Sequence, residues 1–437
     1  MTANANANAN AIDTAPTAPL KLNPDQEVAV QALLDFIADP MPASSFFTFG
    51  GFAGTGKTFC MREVVARCSN SAARFAYTAP TNKAAKVLRG VTGSASTIYS
   101  LLGLRIDKTG ELKKLATGKP PADLSELDVI FIDEASMVNH FLFETLEQVC
   151  EKYKLKVVFM GDPAQLPPVN EERSKVWGMA CGASLTKVMR HDNQILRLVT
   201  DIRTVVDSPL PSIDIKSDNS HGEGVWKLSK SAFRQSIYEA ALNGAFSDGE
   251  KGKVIAWRNA RCAEYNDLIR QAIFGAAAMP GMWLLGDRLV AAGPCSRGDE
   301  VLLATDDEAI VEGVLPCKHP LEPKYQAIEL KCRTEENKLI RLLVLHPASA
   351  AVFANDSQAL AHDAKGNGKL WKKFWEHKEL FHDVKYAYAL TAHRAQGSTY
   401  ENVWVDYQDI LLNRNRREAF QCLYVAASRP TTRLYLA

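Results

Sequence analysis

The sequence predicts a doubly wound α/β protein, in which parallel β-sheets carry helices on both faces. Short, almost wholly apolar segments such as VIFI (129–132) alternate with longer segments of helical periodicity such as NHFLFETLEQVCEKY (139–153). Strands covered on both faces lack polar alternation, and parallel strands need a helical crossover between them. The 437 residues, of which 46% are hydrophobic, are enough for about three domains.

Charge and composition exclude several classes of protein. The 51 Lys and Arg against 50 Asp and Glu give a net charge of +1, which excludes a uniformly basic protein coated in nucleic acid but leaves room for a local basic groove. Uncharged runs stop short of the roughly 18 apolar residues of a membrane span, so we expect a cytoplasmic protein. The nine cysteines are scattered without a CxxC pair, which predicts reduced thiols and neither disulfides nor a zinc site.

The first α/β domain is expected at residues 22–185. An Ala-Asn repeat in the preceding residues, 1–21, has too little apolar surface to fold and predicts a disordered tail. Asn23 followed by Pro24 is typical of a helix start. Strands are then predicted in SFFTFG, RFAYTAP, DVIFIDEA and KVVFMGDP.

Two insertions and a second α/β domain complete the predicted organisation. A basic β-hairpin centred on Lys-Thr-Gly is predicted at about 103–121. The second domain is expected at 186–283 and again at 376–437, where strand-like runs resume. The residues between, 284–375, contain short β-like runs split by Gly and Pro, which indicates a small β-barrel.

A glycine-rich segment, GFAGTGKT at 51–58, follows a predicted strand and opens a predicted helix. Its spacing fits the phosphate-binding pattern GxxxxGK[ST], in which backbone N–H groups surround phosphate oxygens. Lys57 would reach the β- and γ-phosphates, and the Thr58 hydroxyl would ligate Mg²⁺. The nucleotide-binding residues expected in this loop are Gly51, Gly54, Thr55, Gly56, Lys57 and Thr58.

Two further polar segments follow apolar strands. Asp133 and Glu134 would emerge at the carboxyl end of a parallel strand, the edge where such sheets bind ligands. We expect Asp133 to hold Mg²⁺ and Glu134 to polarise the attacking water, although such a pair alone also fits a helix cap. In GDPAQLPPV (161–169), Gln165 is placed to sense a γ-phosphate, and a proline-rich turn is the alternative. Together with the phosphate-binding loop, the acidic pair predicts an NTPase.

The order of these motifs resembles that of superfamily 1 helicases. Eight motifs occur in the family's order across roughly residues 22–437, namely GFAGTGKT, TAPTNKAAKVL, STIYSLL, IDEAS, GDPAQLPPV, VMR, ALTAHRAQGST and YVAASRP. They look most like the RecD/Dda branch, whose smallest members are phage helicases of similar length. The resemblance implies two RecA-like ATPase domains of the P-loop class, a β-hairpin insertion in the first and an SH3-like β-barrel insertion in the second.

The resemblance assigns further residues to the ATP site. Gln26 resembles the glutamine that reads adenine, and Gln396 and Gly397 match a motif that meets the nucleotide. Arg190 in VMR and Arg429 in AASRP resemble arginines that reach the γ-phosphate from the second domain. Cations that cross a cleft stabilise transition-state charge, so ATP would close the two domains and hydrolysis would release them. For either arginine alone, a surface ion pair is the alternative.

A set of nucleic-acid contacts is also implied. Tyr99 stands where the family commonly has histidine, so this contact is either lost or replaced by a stacking face for a base. His393 taken alone also fits a packed core histidine. The basic hairpin is expected to be the strand-separating pin. The residues expected to contact nucleic acid are Pro80, Thr81, Asn82, Lys83, Thr97, Tyr99, Lys113, Lys114, Thr391 and His393.

Two segments have two interpretations each. The segment 369–388 mixes lysines with aromatic residues at helical spacing, which favours burial of the rings in a core. A DNA-adjacent or domain-bridging role is its second interpretation. Trp257 and Arg258 are candidates to flank the nucleotide base, with ordinary burial of Trp257 as the alternative.

The function implied by the resemblance is that of an ATP- and Mg²⁺-dependent DNA helicase. It would move 5′ to 3′ along single-stranded DNA as a monomer, without membrane contact, and act at single-strand/duplex junctions in replication, recombination or repair. A single-strand-binding protein or replisome component is the expected protein partner, in the bacterial cytoplasm and with a phage as a candidate source. Two alternatives stay open: a translocase on single-stranded DNA or RNA, or a protein-displacing motor, without processive unwinding; and an ATP-gated nucleic-acid clamp.

Overall fold

The computed structural model describes residues 21–52, 54–68, 73–106, 112–114, 123–168, 170–179, 181–187, 194–298 and 300–437. Arg190 and residues 1–20 of the predicted tail lie outside these ranges. Two six-stranded sheets and one five-stranded sheet organise the described part of the chain. No helix in that part is both long and apolar enough to cross a membrane.

Strands and helices alternate in the first α/β unit, residues 21–187. Its elements are α1 (Pro24–Ala38), β1 (Phe46–Gly51), α2 (Lys57–Arg67), β2 (Phe75–Ala79), α3 (Asn82–Thr92), β3 (Ser96–Thr97), α4 (Ile98–Leu101), β4 (Leu104–Ile106), β5 (Leu112–Lys114), β6 (Val129–Ile132), α5 (His140–Tyr153), β7 (Lys156–Gly161) and β8 (Gly182–Leu185). Six strands form a sheet in the order β3-β2-β6-β7-β1-β8, with every pairing parallel. The predicted α/β class is confirmed.

Apolar residues on both faces of the first sheet hold its helices. Successive residues of β6 point to opposite faces, with Val129 and Phe131 in one core cluster and Ile130 and Ile132 in the other. The first cluster includes side chains of α1 and α2, and the second includes those of α5. Because both faces are covered, this strand reads as a continuous apolar run in the sequence.

Helix α1 begins at the predicted cap. Asn23 Oδ1 accepts a hydrogen bond from the Gln26 N–H at 2.8 Å, and Gln26 Oε1 accepts one from the Asn23 N–H at 3.1 Å. This capping box, with Pro24 in the first turn, satisfies two backbone N–H groups at the helix start. It also fixes Gln26 beside the loop that follows β1, where its amide donates to Thr55 O.

The remaining elements begin at residue 194. They are α6 (Gln194–Val205), β9 (Asp218–Ser220), β10 (Glu223–Lys227), α7 (Lys230–Leu242), β11 (Gly252–Ala256), α8 (Asn259–Phe274), β12 (Arg288–Ala291), β13 (Cys295–Arg297), β14 (Glu300–Leu303), β15 (Glu308–Lys318), β16 (Gln326–Thr334), β17 (Leu339–Leu345), α9 (Ala350–Gly366), α10 (Trp371–Lys378), β18 (Val384–Tyr386), β19 (Ala389–Thr391), α11 (Ala392–Ala395), β20 (Tyr400–Val405), α12 (Tyr407–Ile410), α13 (Arg416–Ala427) and β21 (Pro430–Leu436).

The second α/β unit is the sheet β19-β11-β20-β21-β10-β9 with the helices α6, α7, α8, α11, α12 and α13. Its pairings are parallel except for the edge strand β9, which runs antiparallel to β10. The chain leaves this sheet after β11, continues through α8 and then through strands β12–β18 of other sheets, and returns to it at β19. The stretch 288–386 is here called the inserted segment, after the predicted insertion. Two parallel-sheet units follow one another along the chain, as the sequence predicts.

The inserted segment forms an antiparallel sheet in the order β17-β16-β15-β12-β18, here called the inserted sheet. Its core includes Leu289, Val311 and Leu330. The backbone N–H of His382, just before β18, donates to Leu343 O of β17 at 2.9 Å, which bridges the two edge strands. The SH3-like character of this unit and the domain boundaries stay predictions.

Helix α10 corrects one expectation. No residue of α10 is buried. Phe374 contacts both Trp371 and Trp375 edge to face, and Trp371 is 37% exposed. The expectation that the rings of this segment lie in a core is therefore wrong for these three, whereas it is confirmed for Phe381, which is buried in a cluster with Tyr325. Helical spacing places the three rings close together, but it carries no information on whether another element covers them.

The predicted basic hairpin is described only in its strands. Strands β4 and β5 pair antiparallel, with Arg105 opposite Lys113 and Leu104 opposite Lys114. The connection between them, 107–111, lies outside the described residues, as do the side chains of Lys113 and Lys114. The role of this hairpin as a strand-separating pin stays a prediction.

Candidate active site

Three loops meet at one edge of the first sheet. Strands β6, β7 and β1 are neighbours, and the segments DEAS, GDPAQLP and GFAGTGKT follow or include their carboxyl ends. The register pairs Ile132 with Phe159 and Gly50 with Gly161, so the three ends lie side by side. Because the strands are parallel, all three loops emerge at the edge where such sheets bind ligands.

Glycines shape the loop after β1. Gly54 and Gly56 have φ angles of 78° and 86°, in the left-handed region that favours glycine. A Cβ on Gly56 would lie 2.7 Å from Gln26 Nε2, and one on Gly51 would lie 2.7 Å from the hydroxyl of the fully buried Thr55. The loop therefore accepts no larger side chain at these two positions without a shift of its neighbours.

Lys57 and Thr58 form the first turn of α2 directly after this loop. Lys57 Nζ donates to Gly51 O at 2.8 Å and to Phe52 O at 3.1 Å, so the ammonium group lies folded over the loop. Thr58 is half-buried beside it. The first N–H groups of a helix have no partner within the helix, and together with the lysine they form an anion site.

Gln26 lies against the same loop with both ends of its amide engaged. Nε2 donates to Thr55 O at 3.0 Å, Oε1 accepts from the Asn23 N–H, and the side chain is 3% exposed. Contact with an adenine would require exchange of one of these hydrogen bonds. The sequence resemblance predicted the position of Gln26 but not its role in capping α1.

The acidic pair after β6 is half-buried. Asp133 Oδ1 accepts from the Glu134 N–H at 2.9 Å. Burial raises the pKa of both carboxyl groups, and Asp133 raises that of Glu134 further, against the opposing charges of Arg429 and Lys57. Glu134 Oε2 is buried and has no hydrogen-bond partner among the described residues. A buried carboxylate oxygen of this kind is costly unless water or a ligand satisfies it.

The loop after β7 is held from the second α/β unit. Asp162 is fully buried, accepts from the Ala164 N–H at 2.9 Å, and accepts from the hydroxyl of Tyr424 on α13. Gln165 is 6% exposed, and its Oε1 accepts from Gln396 Nε2 at 3.1 Å. The two units therefore touch through polar side chains at the candidate site.

Helix α13 and Arg429, two residues beyond its end, line the opposite side of this cleft. Gln421 Nε2 donates to Gln165 O at 3.0 Å. Arg429 is 7% exposed, and its Nη1 donates to Ser398 O at 3.1 Å. Its charge lowers the pKa of Glu134, against the larger effect of burial. Arg429 therefore acts electrostatically on Glu134 from the second α/β unit.

Gln396 and Gly397 occupy the same cleft. Gln396 is 5% exposed and also donates to Ser136 Oγ, next to the acidic pair, at 3.1 Å. Gly397 has a φ of 74°, and a Cβ there would lie 3.2 Å from Ala84 Cβ on α3. A larger residue at 397 would therefore press the second α/β unit against the first.

Thr391 and His393 lie at the start of α11. Thr391 is 8% exposed. The His393 side chain is 37% exposed, and its Nε2 lies 3.5 Å from Glu418 Oε1. Burial lowers the pKa of His393, against the opposing effect of Glu418. His393 is therefore a partly exposed side chain and not a packed core histidine.

Sequence reasoning missed Arg203, in the last turn of α6. Its guanidinium carbon lies 3.8 Å from the centroid of the Phe52 ring, and its Nε lies 3.5 Å from Asp162 Oδ1. Both partners belong to loops of the first α/β unit. An arginine inside an amphipathic helix carries no local signature, since its partners lie far earlier in the chain.

The predicted backbone-gripping residues lie at two helix starts. Thr81 Oγ1 accepts from the Ala84 N–H at 3.2 Å and caps α3, and Thr97 caps α4 in the same way. A capping hydroxyl still carries a hydrogen to donate to a phosphate. Asn82 is exposed, whereas Pro80 is buried. Asn82 and the threonine hydroxyls are therefore the accessible groups of this set.

Lys83 takes part in a buried ion cluster. Glu308, 2% exposed, lies 3.2 Å from Lys83 Nζ, 3.0 Å from Lys253 Nζ and 3.2 Å from Arg288 Nη2. Burial alone would raise the pKa of Glu308, but the three cations lower it to about 2. One carboxylate of the inserted sheet thus joins both α/β units. A nucleic-acid phosphate would have to compete with it for Lys83.

Replacing Glu308 by Gln is expected to destabilise the fold by about 3 kcal/mol at pH 7, because three cations lose a buried counter-charge. The pKa of this carboxyl in the folded chain lies below the ordinary 4.5. The wild type should therefore hold this stabilisation above pH 4.5 and lose it as the pH falls towards 2, whereas the variant should lack that pH dependence. Urea unfolding across this pH range measures both effects.

A matched control is Glu335→Gln. It breaks the ion pair between Glu335 and Lys86, which lies on α3 like Lys83 but is more exposed than the Glu308 cluster. Exposed pairs contribute little, so this variant should lose less than about 1 kcal/mol. Equal losses for the two variants would contradict the assigned role of Glu308.

The other predicted residues are engaged with protein. Tyr99 packs against the core cluster of the first sheet that includes α5, and burial raises its pKa to about 12, which leaves only part of the ring for a base. Trp257 packs against the core of the second α/β unit, which favours ordinary burial over contact with the nucleotide base. Arg258 Nε donates to Asp409 Oδ1 at 2.5 Å.

Comparison with known proteins gives matches at both ends of the chain. Residues 21–207 match the family model of an AAA domain, and residues 386–437 match that of a UvrD-like helicase C-terminal domain. Over 425 residues, the chain is 24% identical to the ATP-dependent DNA helicase dda of Enterobacteria phage T4. That alignment covers 87% of this chain and 92% of the relative.

Solved Pif1 helicases share the fold. A structure of two Pif1 helicases on forked duplex DNA is 16% identical with a TM-score of 0.52, covering 95% of this chain and 92% of that one. Bacteroides Pif1 with ADP-AlF3 and single-stranded DNA is 16% identical with a TM-score of 0.50, covering 93% and 91%. The two family models in order and a helicase relative along most of the sequence support a superfamily 1 helicase of the Pif1/Dda-like type.

Proposed function

We propose that the chain is an ATP-dependent DNA helicase that hydrolyses ATP between its two α/β units. One observation carries the proposal: Glu134 Oε2 is buried without a partner among the described residues, and its carboxyl group lies within the electrostatic reach of Lys57 from one unit and Arg429 from the other. A carboxylate between two such cations is suited to activate water beside a triphosphate. The helicase relative and the helicase family model support the coupling to DNA.

Each side chain of the cleft has a role in this proposal. Lys57 exchanges its bonds to the loop carbonyls for the β- and γ-phosphates, and Glu134 accepts the proton of the attacking water. Arg429, together with Arg190, stabilises charge on the γ-phosphate from the second unit. Gln165, already bonded to Gln396, reports the state of the γ-phosphate across the cleft.

Mg²⁺ fits the chemistry of this loop edge. The Asp133 carboxylate and the Thr58 hydroxyl are oxygen donors of the kind that Mg²⁺ prefers. The unsatisfied oxygen of the adjacent Glu134 also fits an ion with its bound water. Asp133 and Thr58 would hold Mg²⁺, which neutralises phosphate charge.

Closure of the cleft is proposed to drive movement along single-stranded DNA. Asn82 and the Thr81 hydroxyl on the first unit and His393 on the second are the accessible groups for the DNA backbone. Phosphate contacts of this kind position a strand without reading its sequence. The 5′ to 3′ direction is supported by the similarity to Pif1/Dda-like helicases, of which it is typical. The hairpin β4-β5 would separate the strands at the junction.

The proposal extends to partners and location. We place a monomer at single-strand/duplex junctions in the bacterial cytoplasm, with a single-strand-binding protein or replisome component beside it. The phage T4 helicase relative supports this setting. A translocase that does not unwind and an ATP-gated clamp are the competing functions.

Two partial duplexes test the proposal, one with only a 5′ single-stranded tail and one with only a 3′ tail. We expect ATP-dependent opening of the 5′-tailed duplex alone. Turnover of ATP with neither duplex opened would make the chain a translocase, and binding without turnover would make it a clamp. Opening of the 3′-tailed duplex alone would contradict the assigned direction.

A further inference from the structure

Arg203 connects the two sides of the cleft in a way that no sequence motif indicates. It belongs to α6 of the second α/β unit, yet it contacts two loops of the first: its guanidinium carbon lies 3.8 Å from the Phe52 ring centroid, and its Nε lies 3.5 Å from Asp162 Oδ1. Phe52 lies in the phosphate-binding loop, and Lys57 Nζ bonds its carbonyl oxygen. One side chain of the second unit thus touches both nucleotide-facing loops.

The contact with Asp162 is electrostatic and not a well-aligned hydrogen bond. Asp162 is fully buried and already accepts from the Ala164 N–H and the Tyr424 hydroxyl. Arg203 Nε is buried and has no hydrogen-bond partner among the described residues, although the carboxylate lies 3.5 Å away. A small shift of α6 against the loop would therefore strengthen or break this contact.

We propose that Arg203 is a positioning residue for ATP hydrolysis, which transmits closure of the second α/β unit to the phosphate-binding loop through Phe52 and to the Gln165 loop through Asp162. This inference rests on the proposed function, and it assigns Arg203 to the step that couples ATP hydrolysis to closure of the cleft. A rigid connection between both loops and α6 would let the nucleotide state change the relative position of the two units.

The chemistry requires arginine at this position. A guanidinium group is planar, so it stacks on the face of Phe52 while its edge approaches the Asp162 carboxylate. A lysine keeps the charge near Asp162 but presents no planar face to the ring. Arg203→Lys should therefore retain part of the coupling, and Arg203→Ala none of it.

The test compares Arg203→Ala, Arg203→Lys and the control Arg197→Ala. Arg197 lies on the same helix, 52% exposed, and pairs with Asp218 of its own unit. Kinetics of ATP turnover with single-stranded DNA give kcat and KM, and fluorescence anisotropy gives the affinity for single-stranded DNA with and without a non-hydrolysable ATP analogue. For Arg203→Ala we expect kcat to fall by about tenfold or more, with the KM for ATP within about threefold of wild type.

The DNA affinity separates coupling from simple loss of structure. In Arg203→Ala the affinity without nucleotide should equal that of wild type, whereas the change in affinity on addition of the analogue should be lost. Arg203→Lys should lie between the two, and Arg197→Ala should match wild type. Equal behaviour of Arg203→Ala and Arg197→Ala would overturn the inference.

A second variant keeps the inference testable if Arg203→Ala does not fold. Phe52→Leu removes the ring beneath the guanidinium. The double variant Phe52→Leu/Arg203→Lys should therefore lose less kcat than the product of the fold-losses of the two single variants. Independent effects would overturn the stacking role. A wild type without DNA-stimulated turnover would instead reject the proposed function.

Discussion

Replacing Lys57 by Ala is expected to lower DNA-stimulated ATP turnover by about a hundredfold or more, the loss typical for removal of one charge-stabilising group from a transition state. The side chain lies folded over the phosphate-binding loop, and among the described residues its ammonium group bonds loop carbonyl oxygens alone, at 2.8 and 3.1 Å. Its removal should therefore leave the fold and nucleotide-free DNA binding unchanged. A coupled-enzyme assay of ATP turnover and anisotropy with single-stranded DNA measure the two quantities.

The control for this variant is Lys152→Ala, at the exposed end of α5. It removes the same charge without touching the cleft and should match wild type in both assays. Turnover by Lys57→Ala within threefold of the control would contradict the assignment of the phosphate-binding loop.

Glu134→Gln should bind ATP and turn it over roughly 10²–10⁴-fold more slowly, because an amide cannot accept a proton from water. The substitution nearly preserves shape and removes a charge from a buried site in which burial and Asp133 both raise the pKa of this carboxyl. We therefore expect no loss of thermal stability. Retention of radiolabelled ATP on a filter, measured beside turnover, should show bound and unreacted nucleotide.

Glu144→Gln is the matched control, since Glu144 is an exposed residue of α5 beside His140. Near-normal turnover by Glu134→Gln would remove this carboxylate from the mechanism. Loss of ATP binding together with turnover would assign Glu134 to nucleotide binding rather than to the hydrolytic step.

The parts of the site that depend on local sequence were predictable. Apolar runs buried on both faces predict parallel strands, and the loops after β1, β6 and β7 necessarily share the edge at which those strands end. The left-handed backbone at Gly54 and Gly56 is likewise a local requirement that a glycine pattern records. Hence the positions of Lys57, Asp133 and Gln165 could be derived from spacing alone.

Contacts between segments that are distant in the chain have no comparable local signal in the sequence. Arg203 and Asp162 approach because α6 packs across the cleft, and Glu308 meets Lys83 because the inserted sheet docks on α3. Pairings of this type depend on how domains are oriented, which periodicity does not encode. The exposed rings of α10 were not predictable for the same reason. The spacing of aromatic residues in a sequence is the same whether or not another element covers them in the fold.

The most direct test of the account is the rate of ATP turnover by the wild-type chain with and without a single-stranded DNA oligonucleotide. Because the second α/β unit contributes Arg429, Gln396 and Arg203 to the cleft, DNA that bridges both units should favour closure. We expect DNA to raise turnover by about tenfold or more. Turnover that is the same with and without DNA would contradict the proposed coupling of ATP hydrolysis to DNA.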